Sequence, residues 1–117
     1  MFQRGWGDWK QYRSTFGLSK CDEIDLHFGE RDRSVPYREV MAEVTGIIEG
    51  GLSEAQRNGR SYVMFIHGKS TSRRGKTTAR SQVRNFMRSK AATSLIERKH
   101  CIQHETVFVA KVRQTRG

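Results

Sequence analysis

Cysteines, long apolar runs and, over a wide central stretch, acidic residues are scarce in this sequence. Its 117 residues include two cysteines, Cys21 and Cys101, which are too few for a disulfide framework. They do not form the Cys-x-x-Cys spacing of a zinc or redox site, so we expect two buried or partly buried thiols in a reducing compartment. No apolar run approaches the ~20 residues that span a membrane, and we expect no membrane contact.

The length and composition indicate a single folded domain. Hydrophobic residues make up 35% and charged residues 29% of the chain, a balance typical of globular proteins and not of disordered ones. The first residues, from Met1 to Trp6, have no apolar stretch after their charge, so a secretory signal is not expected. We therefore predict a cytoplasmic location.

Positive charge dominates, and its position along the chain is informative. The net charge is +10, and no acidic residue lies between Ser61 and Ile96. Four basic residues in this stretch are spaced by four, so on a helix they would form one row of like charges, which destabilises a helix unless an anion neutralises them. We predict that this row binds nucleic acid, DNA or RNA; a basic face for an acidic protein partner is the alternative. The row consists of Lys76, Arg80, Arg84 and Arg88.

Apolar periodicity predicts an α/β fold. Residues 23–27 alternate in polarity, residues 62–66 form an apolar run typical of a central strand, and residues 107–112 form a β-branched last strand. Apolar residues at three- and four-residue steps from Tyr37 to Ala55 predict one long helix that ends at Asn58-Gly59, and residues 77–90 predict a second helix.

The order of these elements predicts the architecture. Leu95-Ile96 is the weakest candidate for a further strand, and with it the order is βαβαββ. We predict a two-layer α/β sandwich, a mixed four-stranded sheet with two helices, in which the first two long strands are parallel. Residues 21–113 form this domain, residues 1–20 an aromatic and basic arm, and residues 114–117 a short tail.

The arm has aromatic residues without a clean period. Trp6, Trp9 and Phe16 lie among glycine, arginine and serine. We expect the arm to pack on the domain. The alternatives are that its aromatic rings stack on unpaired bases or that it contacts a protein partner.

The polar loop after the second strand is a candidate phosphate site. It lacks the Walker A spacing, because Val63 and Ser70 stand where that motif needs its first glycine. It nevertheless runs from a strand end into a helix, where free backbone N–H groups and the helix dipole favour an anion. The candidate phosphate-binding residues in and next to this loop are Gly68, Ser70, Thr71, Arg73, Arg74 and Lys76.

Two histidines and an aspartate form a candidate catalytic group. Asp25 and His27 are two apart in a strand, so their side chains share a face, and a carboxylate orients an imidazole. His67 directly follows the second strand. If the two strands are parallel neighbours, both histidines lie at their carboxyl ends, where open α/β sheets bind ligands. Lys69 would neutralise charge on phosphorus.

Two short motifs resemble those of the Smr (small MutS-related) family. Ile24-Asp25-Leu26-His27 resembles the Leu-Asp-Leu-His signature that opens the Smr domain, and residues 63–69 resemble its second signature, an apolar strand followed by His-Gly-Lys. The resemblance covers residues 21–113. It implies a fold similar to the C-terminal domain of translation initiation factor three, and DNA nicking or RNA cleavage at Asp25, His27, His67, Gly68 and Lys69.

The residues and the resemblance together lead to one hypothesis. The protein would be an endonuclease in which Asp25 orients an imidazole, His27 or His67 transfers a proton, and Lys69 stabilises the phosphate transition state. No metal site is predicted, although a divalent ion such as Mg²⁺ or Mn²⁺ held by Asp25 is an alternative. The rival functions are a non-catalytic DNA- or RNA-binding module and an interaction protein for an acidic partner.

Overall fold

A mixed five-stranded sheet forms the centre of the protein. The structure is a computed structural model, and it describes residues 2–26, 37–68 and 79–114. Its strands are β1 (Gln3–Arg4), β2 (Glu23–Asp25), β3 (Tyr62–Ile66), β4 (Ile102–Gln103) and β5 (Val107–Lys111). Its helices are α1 (Gln11–Thr15), α2 (Tyr37–Arg57), α3 (Ala79–Arg88) and α4 (Lys90–Thr93).

The strand order across the sheet is β1-β4-β5-β3-β2. β2 and β3 are parallel, with Asp25 level with Ile66, whereas β5 is antiparallel to both β3 and β4. The α/β class, the mixed sheet and the parallel pairing of the first two long strands are therefore confirmed. α2 connects β2 to β3, because parallel strands cannot be joined by a tight turn.

The sheet has one strand more than predicted. β1 comes from the segment that we interpreted as an arm, and it pairs in parallel with β4 through long-range hydrogen bonds such as Gln3 N–H to Cys101 O (2.8 Å). A strand of two residues is too short to show a period-two pattern, so the sequence did not predict it. The prediction of four strands was wrong for this reason.

The strand before β5 also lies elsewhere than predicted. Leu95-Ile96 does not form a strand; Ile96 makes an isolated bridge with Val112, and β4 lies at Ile102–Gln103. The prediction of two helices was incomplete, since the structure has the short helices α1 and α4 in addition. α3 ends at Arg88 because Ser89 is extended (φ −78°, ψ 163°) and starts α4.

An arginine side chain stabilises the break between α3 and α4. The Arg98 guanidinium donates hydrogen bonds to Met87 O (2.9 Å), near the end of α3, and to Ser89 O (2.7 Å), which also accepts from Ala92 N–H of α4 (3.2 Å). A cation near the carboxyl end of a helix also complements the helix dipole. Arg98 thus has a structural role and is separate from the basic row on α3.

Both faces of the sheet are covered. The face towards α2, α3 and α4 forms the larger core, in which Phe65 and Phe108 are fully buried. The opposite face, which includes Met64 and Val109, is covered by the N-terminal segment through Tyr12. The first 20 residues therefore pack on the domain as expected, and the protein has more than the two layers that we predicted. Along the described part of the chain, no helix is long and apolar enough to cross a membrane.

The N-terminal segment approaches the sheet most closely at Gly5. A Cβ atom on Gly5 would lie 2.7 Å from Tyr12 Oη and 2.9 Å from both His104 Cβ and Ile102 Cγ2. Gly5 N–H also donates to Gln103 O (3.0 Å), so the backbone cannot withdraw without losing this bond.

We predict that Gly5→Ala weakens the docking of this segment. Overpacking on three sides should lower the free energy of unfolding by about 1–3 kcal/mol. The control is Gly46→Ala in α2, where an added Cβ has no neighbour within 4 Å and should raise stability by up to about 1 kcal/mol through helix propensity. Urea unfolding measures both. Equal stability of Gly5→Ala and the wild type would contradict the packing described here.

Candidate nucleic-acid-binding and catalytic site

The predicted site lies at the carboxyl ends of β2 and β3. The parallel pairing continues past the last strand residue, where Leu26 N–H donates to Ile66 O (2.7 Å), so both strands end at the same edge of the sheet. His67 and Gly68 follow β3 at this edge, where open α/β sheets bind ligands.

Several predicted site residues lie outside the described parts of the chain. Asp25, His67, Gly68, Arg80, Arg84 and Arg88 are within them. The remaining predicted residues, outside the described ranges, are His27, Lys69, Ser70, Thr71, Arg73, Arg74 and Lys76.

Asp25 and His67 lie on opposite faces of the sheet. Asp25 is paired with Ile66, and residues paired across neighbouring strands share a face. Ile66 packs with the apolar cluster beneath the N-terminal segment, so the exposed Asp25 lies on that side. His67 comes one residue later, and the charges that act on it belong to α3, on the other side. The structure does not bring the Asp25 carboxylate to the His67 imidazole.

His67 is a buried, neutral imidazole. Its side chain is 5% exposed, and burial, with Arg84 and Arg80 nearby, lowers its pKa from 6.5 to about 4. Nδ1 lies 2.8 Å from Gly68 O. Because a carbonyl oxygen only accepts, Nδ1 carries the proton and donates it. Nε2 is therefore an acceptor, and it is buried without a hydrogen-bond partner among the described residues.

Backbone hydrogen bonds around His67 fix the chain at the end of β3. His67 N–H and Gly68 N–H both donate to Thr106 O, at 3.1 and 2.9 Å. Gly68 has a φ of 76°, a conformation that side chains other than glycine rarely adopt. Together with the bond from His67 Nδ1, these contacts hold the chain in a defined turn at the end of β3.

The arginines of α3 form the basic surface beside this edge. Arg80 and Arg84 are partly buried and Arg88 is exposed, and the helix places these positions one turn apart. Burial lowers the pKa of Arg84, and the neighbouring charges of Arg80 and Arg88 lower it further. The two ion pairs found in the described ranges, Arg13–Glu23 and Arg60–Asp22, do not involve α3. Within the described ranges, no carboxylate forms an ion pair with the arginines of α3.

The structure brings to this surface residues whose position beside α3 the sequence did not indicate. Arg4 and Trp6 of the N-terminal segment and Gln103 of β4 line a cleft together with Arg80 and Arg84. These residues are about 75 to 100 positions apart in the chain, and contacts over such distances leave no local periodicity in the sequence. The sequence therefore showed the residue types but not that they lie together.

No metal site is formed by the described side chains. Over residues 2–26, 37–68 and 79–114, no group of three or more His, Cys, Asp or Glu side chains is placed to hold an ion. His104 is used structurally instead: Nε2 donates to Gly7 O (2.7 Å) and Nδ1 accepts from Thr106 N–H (2.9 Å). Cys101 is a buried free thiol whose pKa burial raises to about 11, which makes it a poor ligand or nucleophile.

The burial of His67 predicts a pH dependence of stability. Because its pKa is about 4 in the folded protein and ~6.5 in the unfolded chain, the unfolded state takes up the proton first as the pH falls. The contribution of His67 is complete above about pH 6.5 and is lost between about pH 6.5 and 4, by up to about 3 kcal/mol.

Urea unfolding of the wild type and of His67→Gln across this pH range measures the effect. Carboxylates titrate in both proteins, so the difference between them isolates His67. We expect the wild type to lose more stability on acidification than the variant. Parallel curves would show that His67 is not held neutral.

Comparison with protein-family models, with curated proteins and with solved structures finds no match to this chain. The resemblance to the Smr family therefore rests on its two sequence motifs.

Proposed function

We propose that the protein binds nucleic acid through the arginines of α3 and acts on its phosphodiester backbone as an Smr-like endonuclease. The observation that carries the binding part is the set of α3 arginines. They have no carboxylate partner in the described structure although two of them, Arg80 and Arg84, are partly buried. Partly buried like charges at one-turn spacing destabilise a helix unless an anion compensates them. A phosphate backbone is a polyanion with the required repeated charge.

The catalytic part of the proposal assigns proton transfer to His27. Asp25, the last residue of β2, is assigned the role of orienting His27, because a carboxylate orients a neighbouring imidazole. His27 takes the proton from the nucleophile, a ribose 2′-OH on RNA or a water molecule on DNA. As the new O–P bond forms and the old one breaks, Lys69 stabilises the negative charge and a proton returns to the leaving oxygen.

His67 has a positioning role in this proposal. Its Nε2 is buried, so it is not placed to exchange a proton with a substrate, whereas its Nδ1–H holds Gly68 O at the start of the loop that carries Lys69. A neutral imidazole is also compatible with the positive charges of Arg80 and Arg84, which disfavour its protonation.

The test of cleavage uses three substrates. Purified protein is incubated with labelled supercoiled plasmid, single-stranded DNA and RNA, with and without EDTA. We expect nicked or cut product from the wild type, and binding without product from His27→Ala, because the variant keeps the basic surface but loses the base. EDTA resistance would support chemistry without a metal, and inhibition would support an ion held by Asp25.

The same assay separates the rival functions. Retention of nucleic acid without cleavage by the wild type would leave a binding module and reject the endonuclease. Neither retention nor cleavage would reject both and favour an acidic protein partner. Full cleavage by His27→Ala would show that the proton-transfer assignment is wrong.

The salt dependence of binding tests the arginine row. Replacing Arg80, Arg84 and Arg88 by Gln should weaken duplex binding and reduce the slope of log K against log salt by about 2.7, since each phosphate contact contributes ~0.9. The control replaces Arg57, Lys99 and Arg113 by Gln, which removes the same charge from exposed positions outside α3. Equal effects of the two variants, measured by fluorescence anisotropy, would indicate attraction to net charge and not to this surface.

A further inference from the structure

The proposed catalysis leaves unexplained a cleft between the N-terminal segment and α3. It has a volume of about 710 Å³, within the range of pockets that bind small organic ligands. One wall is the chain from Phe2 to Gly7, and the other is formed by Arg80 and Arg84. Because β1 is added at the sheet edge, the cleft exists only when the N-terminal segment is docked.

Two polar atoms on residues that line this cleft have no hydrogen-bond partner in the described parts of the chain. Arg84 Nε and Gln103 Oε1 are both buried and make no hydrogen bond to any described residue. Buried polar groups are hydrogen-bonded in the great majority of proteins, so an unmatched donor and an unmatched acceptor beside one cleft are unusual. Both atoms are shielded from solvent, so a polar ligand in the cleft pairs with them when the two side chains turn towards it. Among the described residues, the guanidinium hydrogen-bonds only His104 O, through a long bond from Nη2 (3.5 Å).

An exposed aromatic ring stands at the same cleft. Trp6 is 67% exposed, the highest value among the large apolar side chains described. Its backbone is nonetheless fixed: Trp6 N–H donates to Tyr12 Oη (3.2 Å), and Gln11 Nε2 donates to Trp6 O. The Arg4 guanidinium lies 4.6 Å from the ring centroid. The indole is therefore held in place without being used in the core.

A planar ring next to guanidinium groups matches the chemistry of one nucleotide. A base stacks on an aromatic face, a phosphate oxygen accepts from arginine, and a base N–H group, such as N3–H of thymine, donates to a carboxamide oxygen. In a duplex the bases are paired and stacked on one another, so they cannot reach Trp6. The exposed carboxylate of Glu105, also on the cleft wall, favours a neutral group such as a base over a second anionic group beside it.

We propose that this cleft binds an unpaired nucleotide of a single-stranded nucleic acid, with its base on Trp6 and its phosphate at Arg80 and Arg84. The proposal rests on the proposed nucleic-acid binding and narrows it to strands with unpaired bases. The α3 arginines then contact the phosphate backbone of the nucleic acid and also form one wall of the nucleotide site.

The experiment compares single-stranded and duplex probes. Binding of a labelled oligothymidylate of about 12 nucleotides, and of a duplex of similar length, is measured by fluorescence anisotropy at about 50 mM salt. We expect Trp6→Ala to weaken oligothymidylate binding about tenfold or more, with duplex affinity within about twofold of the wild type. Trp6→Phe should restore most of the affinity, because it keeps an aromatic face.

Two controls isolate stacking from folding. Ile47→Ala removes another exposed apolar side chain, 40% exposed on α2, and should leave both affinities unchanged. In a Trp9→Phe background Trp6 is the remaining tryptophan, and its fluorescence should be quenched when oligothymidylate binds. Quenching reports contact with the ring even if Trp6→Ala folds poorly.

The outcomes separate this inference from the proposed function. If the wild type binds the duplex but Trp6→Ala binds oligothymidylate normally, or Trp6 is not quenched, the cleft proposal is wrong while nucleic-acid binding stands. If the wild type binds neither probe, the proposed function itself fails. Equal loss on both probes, or equally tight Trp6-dependent binding of polyglutamate, would also overturn the nucleotide assignment.

Discussion

The burial of β3 on both faces is the constraint on which the rest of the structure depends. Its centre, Val63, Met64 and Phe65, has side chains that point alternately to opposite faces and are all buried. Each such side chain contributes about 1.5–3 kcal/mol when it is removed from water. One face is covered by the long helices. The other must be covered as well, and the N-terminal segment is what covers it.

The docked N-terminal segment also determines which side chains lie together in the cleft beside α3. Docking of the segment through Tyr12 and the His104–Gly7 hydrogen bond brings β1 to the edge of the sheet, opposite α3. Trp6 and Arg4 thereby become neighbours of arginines about 75 to 80 residues away in the chain. The N-terminal segment thus both covers one face of the core and forms one wall of the cationic cleft.

Electrostatics at this edge of the sheet favours one ionisation pattern. The arginines of α3 and the burial of His67 both disfavour protonation of the imidazole. The ring is therefore neutral, and its Nδ1–H donates to Gly68 O. The positive charge at this edge is therefore that of the α3 arginines, and the turn at His67-Gly68 lies beside them. An anion bound here would relieve the repulsion among the arginines, whereas protonation of His67 would add to it.

The sequence by itself determined the α/β class, the two long helices, the parallel pairing of β2 with β3 and the concentration of arginine on α3, because each follows from a local period or from connection rules. It could not determine the two-residue strands β1 and β4, which are too short for a pattern and depend on pairing with distant residues. Only the tertiary structure decided that Asp25 and His67 lie on opposite faces, since this depends on the register between strands. It also decided that His67 is buried and that Trp6 is not, because burial is a property of what packs against a residue and not of the residue itself.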